Sequence, residues 1–273
     1  MTTFQKMIQY IAMGFAGLLA LFILFVTLGV VFPFLSITGS FDDNTSNYSK
    51  EFENITSLDI DVGAANFYIK TGDKFKVEAK NISSNFKVSV SQNNNLRISN
   101  TNIKNNLFSS TKINKHAKIT VFLPENFIAD NITLDAGAGN VHIDLLNTHK
   151  LTFNAGAGNI IANNINAKHL ILNGGVGNVS FTNSVFNSSY IVAGVGNLSF
   201  EGVLYGINKI SCGVGNLTLN INSKFEDYDM SVSSGIGKIM INGQSHTNFN
   251  SDNGKSNLLT INGGIGNVFI NFE

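Results

Sequence analysis

A short phrase recurs eight times in this chain of 273 residues, and it limits the fold more than any other feature. The phrase is Gly, an aliphatic residue, a second small residue and usually Asn, followed by a segment in which apolar and polar residues alternate. Its first residue is Gly63, Gly137, Gly156, Gly175, Gly194, Gly213, Gly235 or Gly264. From Gly137 to Gly213 the copies are 19 residues apart. A fixed period of this size is typical of proteins that stack one structural unit.

The residues around each phrase predict two short strands, because apolar residues occupy every second position on both sides of the glycine. Three residues before that glycine, the predicted inward positions are Leu134, Phe153, Leu172, Ile191, Ile210, Val232 and Ile261. One unit cannot bury its own apolar face, so neighbouring units must stack. We therefore predict an all-β fold, a parallel β-solenoid with coils of about 19 residues and a Gly-x-Gly-Asn corner in each. A β-sandwich is the competing architecture, but its strands rarely repeat one phrase at constant spacing.

The corner phrase itself predicts a structural role. Glycine permits positive φ or a close approach of neighbouring backbones, and Asn tolerates the left-handed region and hydrogen-bonds locally. Stacked in register, the Asn amides are expected to form a ladder along the axis. Besides the eight glycines, the predicted corner residues are Asn66, Asn140, Asn159, Asn178, Asn197, Asn216 and Asn267. The residue after the first glycine grows along the chain from Ala64 to Ile265, and we expect this aliphatic column to face the core.

The N-terminal residues predict a membrane anchor. Residues 11–35 contain no charged side chain, and as a helix they would span about 37 Å, against roughly 30 Å of hydrocarbon. A cleaved signal peptide is the alternative, but the run is longer than its usual core of roughly 7–15 residues and Ser36-Ile37-Thr38 is a poor cleavage site. Lys6 before the run and Asp42 after it predict a cytoplasmic N-terminus and a C-terminal domain that is periplasmic or extracellular.

The predicted organisation follows from these boundaries. It comprises a cytoplasmic tip at residues 1–10, a single transmembrane helix at 11–35, a linker at 36–51 and an extracytoplasmic β-solenoid at 52–273, less regular in 52–123 than in 124–273.

The charge balance argues against nucleic acid as a partner and leaves an anionic polymer as an alternative for one part of the chain. The chain has 18 basic and 18 acidic side chains, without a basic stripe for phosphates, so we expect no nucleic acid. Residues 50–120 hold 11 Lys and Arg against 6 Asp and Glu, whereas residues 121–273 hold 6 against 10. A solvated surface explains this difference, and attraction of the N-terminal half to an anionic envelope polymer is the alternative.

The chain offers little for catalysis or metal binding. Each Gly pair opens a strand, whereas a dinucleotide fingerprint opens a helix. Calcium-binding rolls need Asp where this chain has Val179 and Val268. Asp61 and Asp135 fall in one outward column and read as solvated carboxylates, and Cys212 is the only cysteine. We therefore predict no catalytic, cofactor-binding or metal-binding residues and no cofactor, and a protein that is not an enzyme.

Two stretches resemble a known family. One is KITVFLPENFIADNITLDAGAGNVHI at residues 118–143, and the other is ITSLDIDVGAANFYIKTGDKFKVEAK at residues 55–80, followed by LRIS at residues 96–99. They are similar to the bacterial envelope domain called toastrack, an adhesin domain with a β-helical core, over roughly residues 52–273. The resemblance implies a membrane-tethered, extracytoplasmic, non-catalytic module associated with envelope stress or surface contact. The chain departs from it in its regular 19-residue spacing and Asn-rich corners.

Three functions are compatible with these features. The first is a membrane-anchored interaction module that presents a rigid surface to an envelope protein or a glycan. The second is a structural envelope protein that self-associates through the C-terminal end of the solenoid, where Asn267 to Phe272 form the last strand. The third, a carbohydrate-active β-helix enzyme, ranks last because the outward columns lack clustered carboxylates.

Overall fold

In a computed structural model that describes residues 46–100 and 117–273, the chain is built from strands and one short 3-10 helix, Phe225–Asp227. The strands are β1 (Ser46–Glu51), β2 (Ser57–Ala64), β3 (Asn66–Thr71), β4 (Lys76–Ile82), β5 (Lys87–Val90), β6 (Asn95–Ser99), β7 (Lys118–Leu123), β8 (Ile128–Ala138), β9 (Val141–Ile143), β10 (Leu146–Ala157), β11 (Ile160–Asn163), β12 (Ile165–Asn173), β13 (Val179–Phe186), β14 (Ser189–Val195), β15 (Leu198–Leu204), β16 (Ile207–Val214), β17 (Leu217–Ile221), β18 (Tyr228–Ile236), β19 (Ile239–Ile241), β20 (Gln244–His246), β21 (Phe249–Asn250), β22 (Asn257–Ile265) and β23 (Val268–Phe272). The all-β prediction is confirmed.

The predicted transmembrane helix at residues 11–35 lies outside the described residues. Among residues 46–100 and 117–273, no helix is long and apolar enough to cross a membrane.

Equivalent strands of successive repeats pair in parallel and in register. Phe153 of β10 pairs with Leu134 of β8 on one side and with Leu172 of β12 on the other. After the corner, Ile160 of β11 lies between Val141 of β9 and Val179 of β13 in the same way. Each partner is 19 residues away, which is the period of the sequence. The sequence repeat is therefore one coil of the stack.

The order of coils in space departs from the order in the chain at the C-terminal end. Strand β22 lies between β16 and β18, and β23 lies between β17 and β19. The coil of Gly264 is thus inserted between the coils of Gly213 and Gly235. Numbered in space by their first glycine, coils 1 to 8 are those of Gly63, Gly137, Gly156, Gly175, Gly194, Gly213, Gly264 and Gly235.

The expectation that Asn267 to Phe272 form the open end of the stack is therefore wrong, because β23 has a parallel neighbour on each side. Antiparallel strands form the outer edges at both ends of the stack instead. At coil 8, β20 pairs with β19 and β21 pairs with β18. Beyond coil 1, β6 and β7 first pair in parallel with β2 and β3, and the antiparallel pairs β5 with β6, β4 with β7, and β1 with β4 then follow. Such strands cover an edge that would otherwise template pairing with another chain.

The core lies inside the coils and is continuous along the stack. The inward residues before the corner are buried as predicted, from Leu134 at 0% exposed to Val232 at 1%. In the middle of the stack the interior is aromatic, with ring centroids 5.2 Å apart for Phe181 and Phe186 and 5.4 Å apart for Phe186 and Phe200. Burial of this kind contributes roughly 1.5–3 kcal/mol for each large apolar side chain.

Candidate functional site

The second glycine of the phrase is the residue with an unusual backbone conformation. Gly177 has φ of +146°, and its counterparts in the other coils from Gly137 onward range from +135° to +151°. A Cβ on Gly177 would also overlap the carbonyl oxygen of Gly158 in the preceding coil. An L-residue therefore fits neither the dihedral nor the space. The second glycine is part of the predicted Gly-x-Gly-Asn corner, but only the first glycine of each copy was among the predicted corner residues, although both recur with the same period.

The first glycine is required by close packing alone. Gly156 has no positive φ, yet a Cβ there would overlap the carbonyl oxygen of Gly137. Gly175 meets Gly156, and Gly194 meets Gly175, in the same way. Neighbouring backbones thus approach along the whole corner edge.

The corner asparagines form a ladder that crosses from coil to coil. The Asn159 backbone N–H donates to Asn140 Oδ1 at 3.0 Å, and the Asn178 N–H donates to Asn159 Oδ1 at 2.9 Å. The same bond joins Asn66 to Asn140, Asn178 to Asn197, Asn197 to Asn216, Asn216 to Asn267, and Asn267 to the N–H of Lys238. Each side chain therefore pairs a backbone donor that the bend removes from the strand ladder.

The ladder explains where the phrase changes. The Lys238 backbone N–H of coil 8 donates to Asn267 Oδ1, and among the described residues no corner lies beyond Lys238 for its own side chain to bridge. Asn tolerates the left-handed region, but none of the corner Asn residues adopts it. Among the described residues other than glycine, positive φ occurs at Asn54, Asn81, Asn94, Asn164, Asn183 and Asn242.

The aliphatic column after the first glycine faces solvent. Val176 is 60% exposed, Val195 50% and Ile236 68%. The prediction that this column faces the core is wrong, because the chain bends at the glycines and the alternation of the preceding strand does not continue through the corner. We call this column the aliphatic ridge. In spatial order it consists of Ala64, Ala138, Ala157, Val176, Val195, Val214, Ile265 and Ile236.

A shallow groove of about 480 Å³ runs beside the ridge over coils 1 to 4. Its floor consists of Gly and Ala residues of the corners, and its polar wall contains Asp61, Asp135, Asn154 and Asn173. Asn154 Nδ2 donates to Asp135 Oδ1 at 2.6 Å, and Asn173 Nδ2 donates to Asn154 Oδ1 at 2.8 Å. Asp61 pairs with Asp135 on the neighbouring coil. The Asp135 carboxylate thus accepts from a side-chain ladder.

A second outward column follows the corner and differs in chemistry. It runs through Tyr68, His142, Ile161, Ser180, Ser199 and Thr218, and we call it the aromatic–hydroxyl strip. The rings of Tyr68 and His142 stack at 6.1 Å between centroids with an interplanar angle of 21°. Lys118 Nζ lies 4.6 Å, and Lys70 Nζ 5.9 Å, from the Tyr68 ring centroid. Cations beside an aromatic face give this end of the strip a positive character.

Two titratable groups, the Asp229 carboxyl in coil 8 and the Cys212 thiol in coil 6, have pKa values shifted by their surroundings. Asp229 is buried in β18 and accepts from the backbone N–H groups of Asn253 and Lys255, both at 2.7 Å. Burial raises the pKa of its carboxyl, but these bonds outweigh burial and hold the pKa below its ordinary value. Burial raises the pKa of the Cys212 thiol to about 11, so this thiol is a poor nucleophile at neutral pH.

Two exposed histidines, His149 and His169, make separate contacts. His149 Nδ1 lies 3.6 Å from Asp130 Oδ1, whereas His169 Nδ1 lies 2.6 Å from Ser188 Oγ. Within residues 46–100 and 117–273, no group of three His, Cys, Asp or Glu side chains is placed to hold a metal ion.

One family model and several solved structures are similar to this chain. The family model described as Toastrack DUF4097 matches residues 55–260. A solved structure titled as a "putative adhesin" from Bacteroides fragilis is 16% identical, with a TM-score of 0.47, covering 85% of this chain and 99% of that one. A "putative cell adhesion protein" from Clostridium sporogenes is 20% identical, with a TM-score of 0.38 and coverage of 84% and 100%. A "putative lipid binding protein" from Parabacteroides distasonis is 16% identical, with a TM-score of 0.39 and coverage of 85% and 98%. None of the curated proteins matches the chain.

Proposed function

We propose that this chain, which belongs to the Toastrack DUF4097 family, is a non-catalytic, adhesin-like module that binds an acidic polysaccharide of the cell envelope. In this proposal residues 11–35 anchor the chain in the membrane with the N-terminus in the cytoplasm. The strand-built unit then lies outside the membrane and presents its surface to the envelope.

The aromatic–hydroxyl strip is the observation that carries this proposal. Parallel pairing in register sets its side chains about 4.8 Å apart along the axis, so they form a regular row. Serine and threonine hydroxyls donate and accept hydrogen bonds as sugar hydroxyls do, and an aromatic face packs against the apolar face of a sugar ring. A rigid row of this kind suits an extended polymer, because little conformational entropy is lost on binding.

The charge at the Tyr68 end favours an acidic polymer over a neutral one. Lys70 and Lys118 both lie within 6 Å of the Tyr68 ring, and residues 50–120 have an excess of basic residues. Exposed cations of this kind attract an anionic polymer, and salt screens the attraction.

The test compares binding of a uronate oligosaccharide with binding of a neutral glucan of equal length to the full chain. We expect the uronate to bind more tightly and to weaken as salt is raised. Tyr68→Ala is expected to lower the affinity by about tenfold or more. Tyr190→Ala is the matched control, because Tyr190 is an exposed tyrosine on the strand before the corner. Equal losses in both variants, or no binding of either sugar, would contradict the proposal.

Membrane topology is tested separately with a reporter fused after Glu273. We expect a reporter that works only outside the cytoplasm to be active and one that works only inside it to be inactive. The opposite result would place the strand-built unit in the cytoplasm and remove an envelope polymer as its ligand.

A further inference from the structure

The aliphatic ridge is an exposed apolar strip whose largest side chains do not contribute to the buried core. Its five largest members, Val176, Val195, Val214, Ile265 and Ile236, are 45–68% exposed. Glycine precedes and follows each of them, so no neighbouring side chain in the corner covers them. From coil 1 to coil 7 the four corner residues include no charged side chain, and Lys238 of coil 8 is the first. A continuous apolar strip of this kind marks an interaction surface.

The ridge changes height along the axis. Coils 1 to 3 carry alanine, coils 4 to 6 carry valine, and coils 7 and 8 carry isoleucine. The groove of about 480 Å³ lies beside the low end, where the corner floor is Gly and Ala. The edge is therefore a wedge, high at coil 8 and low at coil 1.

We propose that a second copy of this chain packs against the ridge in the antiparallel direction, around a two-fold axis between coils 4 and 5. Coil 1 of one copy then faces coil 8 of the other, so the small alanines of each copy lie opposite larger aliphatic side chains of its partner. Ala64 faces Ile236, Ala138 faces Ile265, Ala157 faces Val214, and Val176 faces Val195. Such an isologous contact is closed, because each copy uses the same surface.

A parallel arrangement fits less well. It places isoleucine against isoleucine at one end and alanine against alanine at the other, which separates the copies over coils 1 to 3 and leaves the groove empty. In the antiparallel arrangement the isoleucines of one copy reach the groove of the other. The flanking glycines permit close approach of the two backbones.

The area is adequate for a dimer. Seven steps of about 4.8 Å give the ridge a length of about 34 Å. A contact of this length and about 20 Å wide buries roughly 700 Å² per copy, close to the roughly 800 Å² per partner of a standard interface. This site differs from the solenoid end that the sequence suggested.

Disulfide crosslinking between two full-length variants tests the orientation. Ala157→Cys and Val214→Cys, each in a Cys212→Ser background and with its own tag, are produced together in one cell and oxidised. We expect a disulfide between the two variants and none between identical chains. In the antiparallel dimer two copies of position 157 lie three coils, or about 14 Å, apart, beyond the roughly 4.4–6.8 Å between the Cα atoms of a disulfide.

The outcomes separate the alternatives. A disulfide between two Ala157→Cys chains would show parallel packing and overturn the proposal, and so would the absence of any crosslink. Val195→Asp, added to both chains, is expected to reduce the mixed disulfide at least about tenfold, since it buries an unpaired charge near the two-fold axis. Tyr190→Asp is the matched control on the same coil and is expected to change nothing. Uronate binding by the Val195→Asp variant is expected to persist, so loss of the dimer is distinguishable from failure of the proposed function.

Discussion

The middle coils and the end coils of this molecule use the same corner phrase under different constraints. In coils 3 to 6 every corner has a neighbour on each side, so both glycines and the bridging asparagine are present in each. In coil 1 the second glycine is replaced by Ala65, and in coil 8 the asparagine is replaced by Lys238. Ala65 is not among the described residues with positive φ, and within residues 46–100 and 117–273 no further corner follows Lys238 in the stack. Neighbouring coils, more than the local bend, therefore require the phrase.

The largest loss of stability is expected when a corner glycine of a middle coil is replaced. Gly177→Ala in coil 4 places a Cβ against the Gly158 carbonyl oxygen at φ of +146°. We expect a loss of about 3 kcal/mol or more in the free energy of unfolding, measured in urea. Gly243→Ala, in the turn before β20, has positive φ but open space, and about 1–2 kcal/mol is expected there. Equal losses at both sites would show that dihedral strain alone explains the phrase.

The asparagine ladder predicts a smaller difference. Asn178→Ala removes the acceptor of the Asn197 N–H, and an unpaired backbone donor costs about 1–3 kcal/mol. Lys238→Ala removes a side chain beyond the ladder and is expected to cost less than about 0.5 kcal/mol. Urea unfolding of the two variants and the parent checks this order. A larger loss of unfolding free energy for Lys238→Ala than for Asn178→Ala would contradict the role given to the ladder.

The end at coil 8 has its own dependence on pH. The pKa of Asp229 is held below its ordinary value of 3.8, so its contribution is present above pH 3.8 and is lost as the pH falls through the lowered pKa. We expect the urea midpoint of the parent to fall more steeply below pH 4 than that of Asp229→Asn. Parallel curves for the two proteins would contradict a role for this carboxylate in holding the segment from Ser251 to Lys255.

The last prediction concerns how readily a reagent reaches the half-buried thiol of Cys212 in the middle of the stack. With a pKa of about 11, the Cys212 thiol in coil 6 is about one-thousandth ionised at pH 8. We expect it to react with a thiol reagent far more slowly than a cysteine at the partly exposed position Ser199 in a Cys212→Ser background. Reaction rates followed spectroscopically check this, and equal rates would indicate that the middle coils open readily.

Much of the coil was predictable from local patterns. Alternation identified Leu134, Phe153 and Leu172 as core residues, because successive side chains of a strand point to opposite faces. The same rule failed at Val176, where the bend interrupts the alternation. It also gave no sign that Asp229 is buried, because the backbone donors at Asn253 and Lys255 are more than 20 residues away in the chain.

The sequence by itself determined the length of the coil, its inward columns and the need for parallel neighbours, because these depend on a period of 2 within strands and of 19 between them. Only the tertiary structure decided that Ile265 lies between Val214 and Ile236, and that the whole aliphatic column faces solvent. Copies of one phrase are locally equivalent, so the choice of neighbour depends on pairing between distant segments.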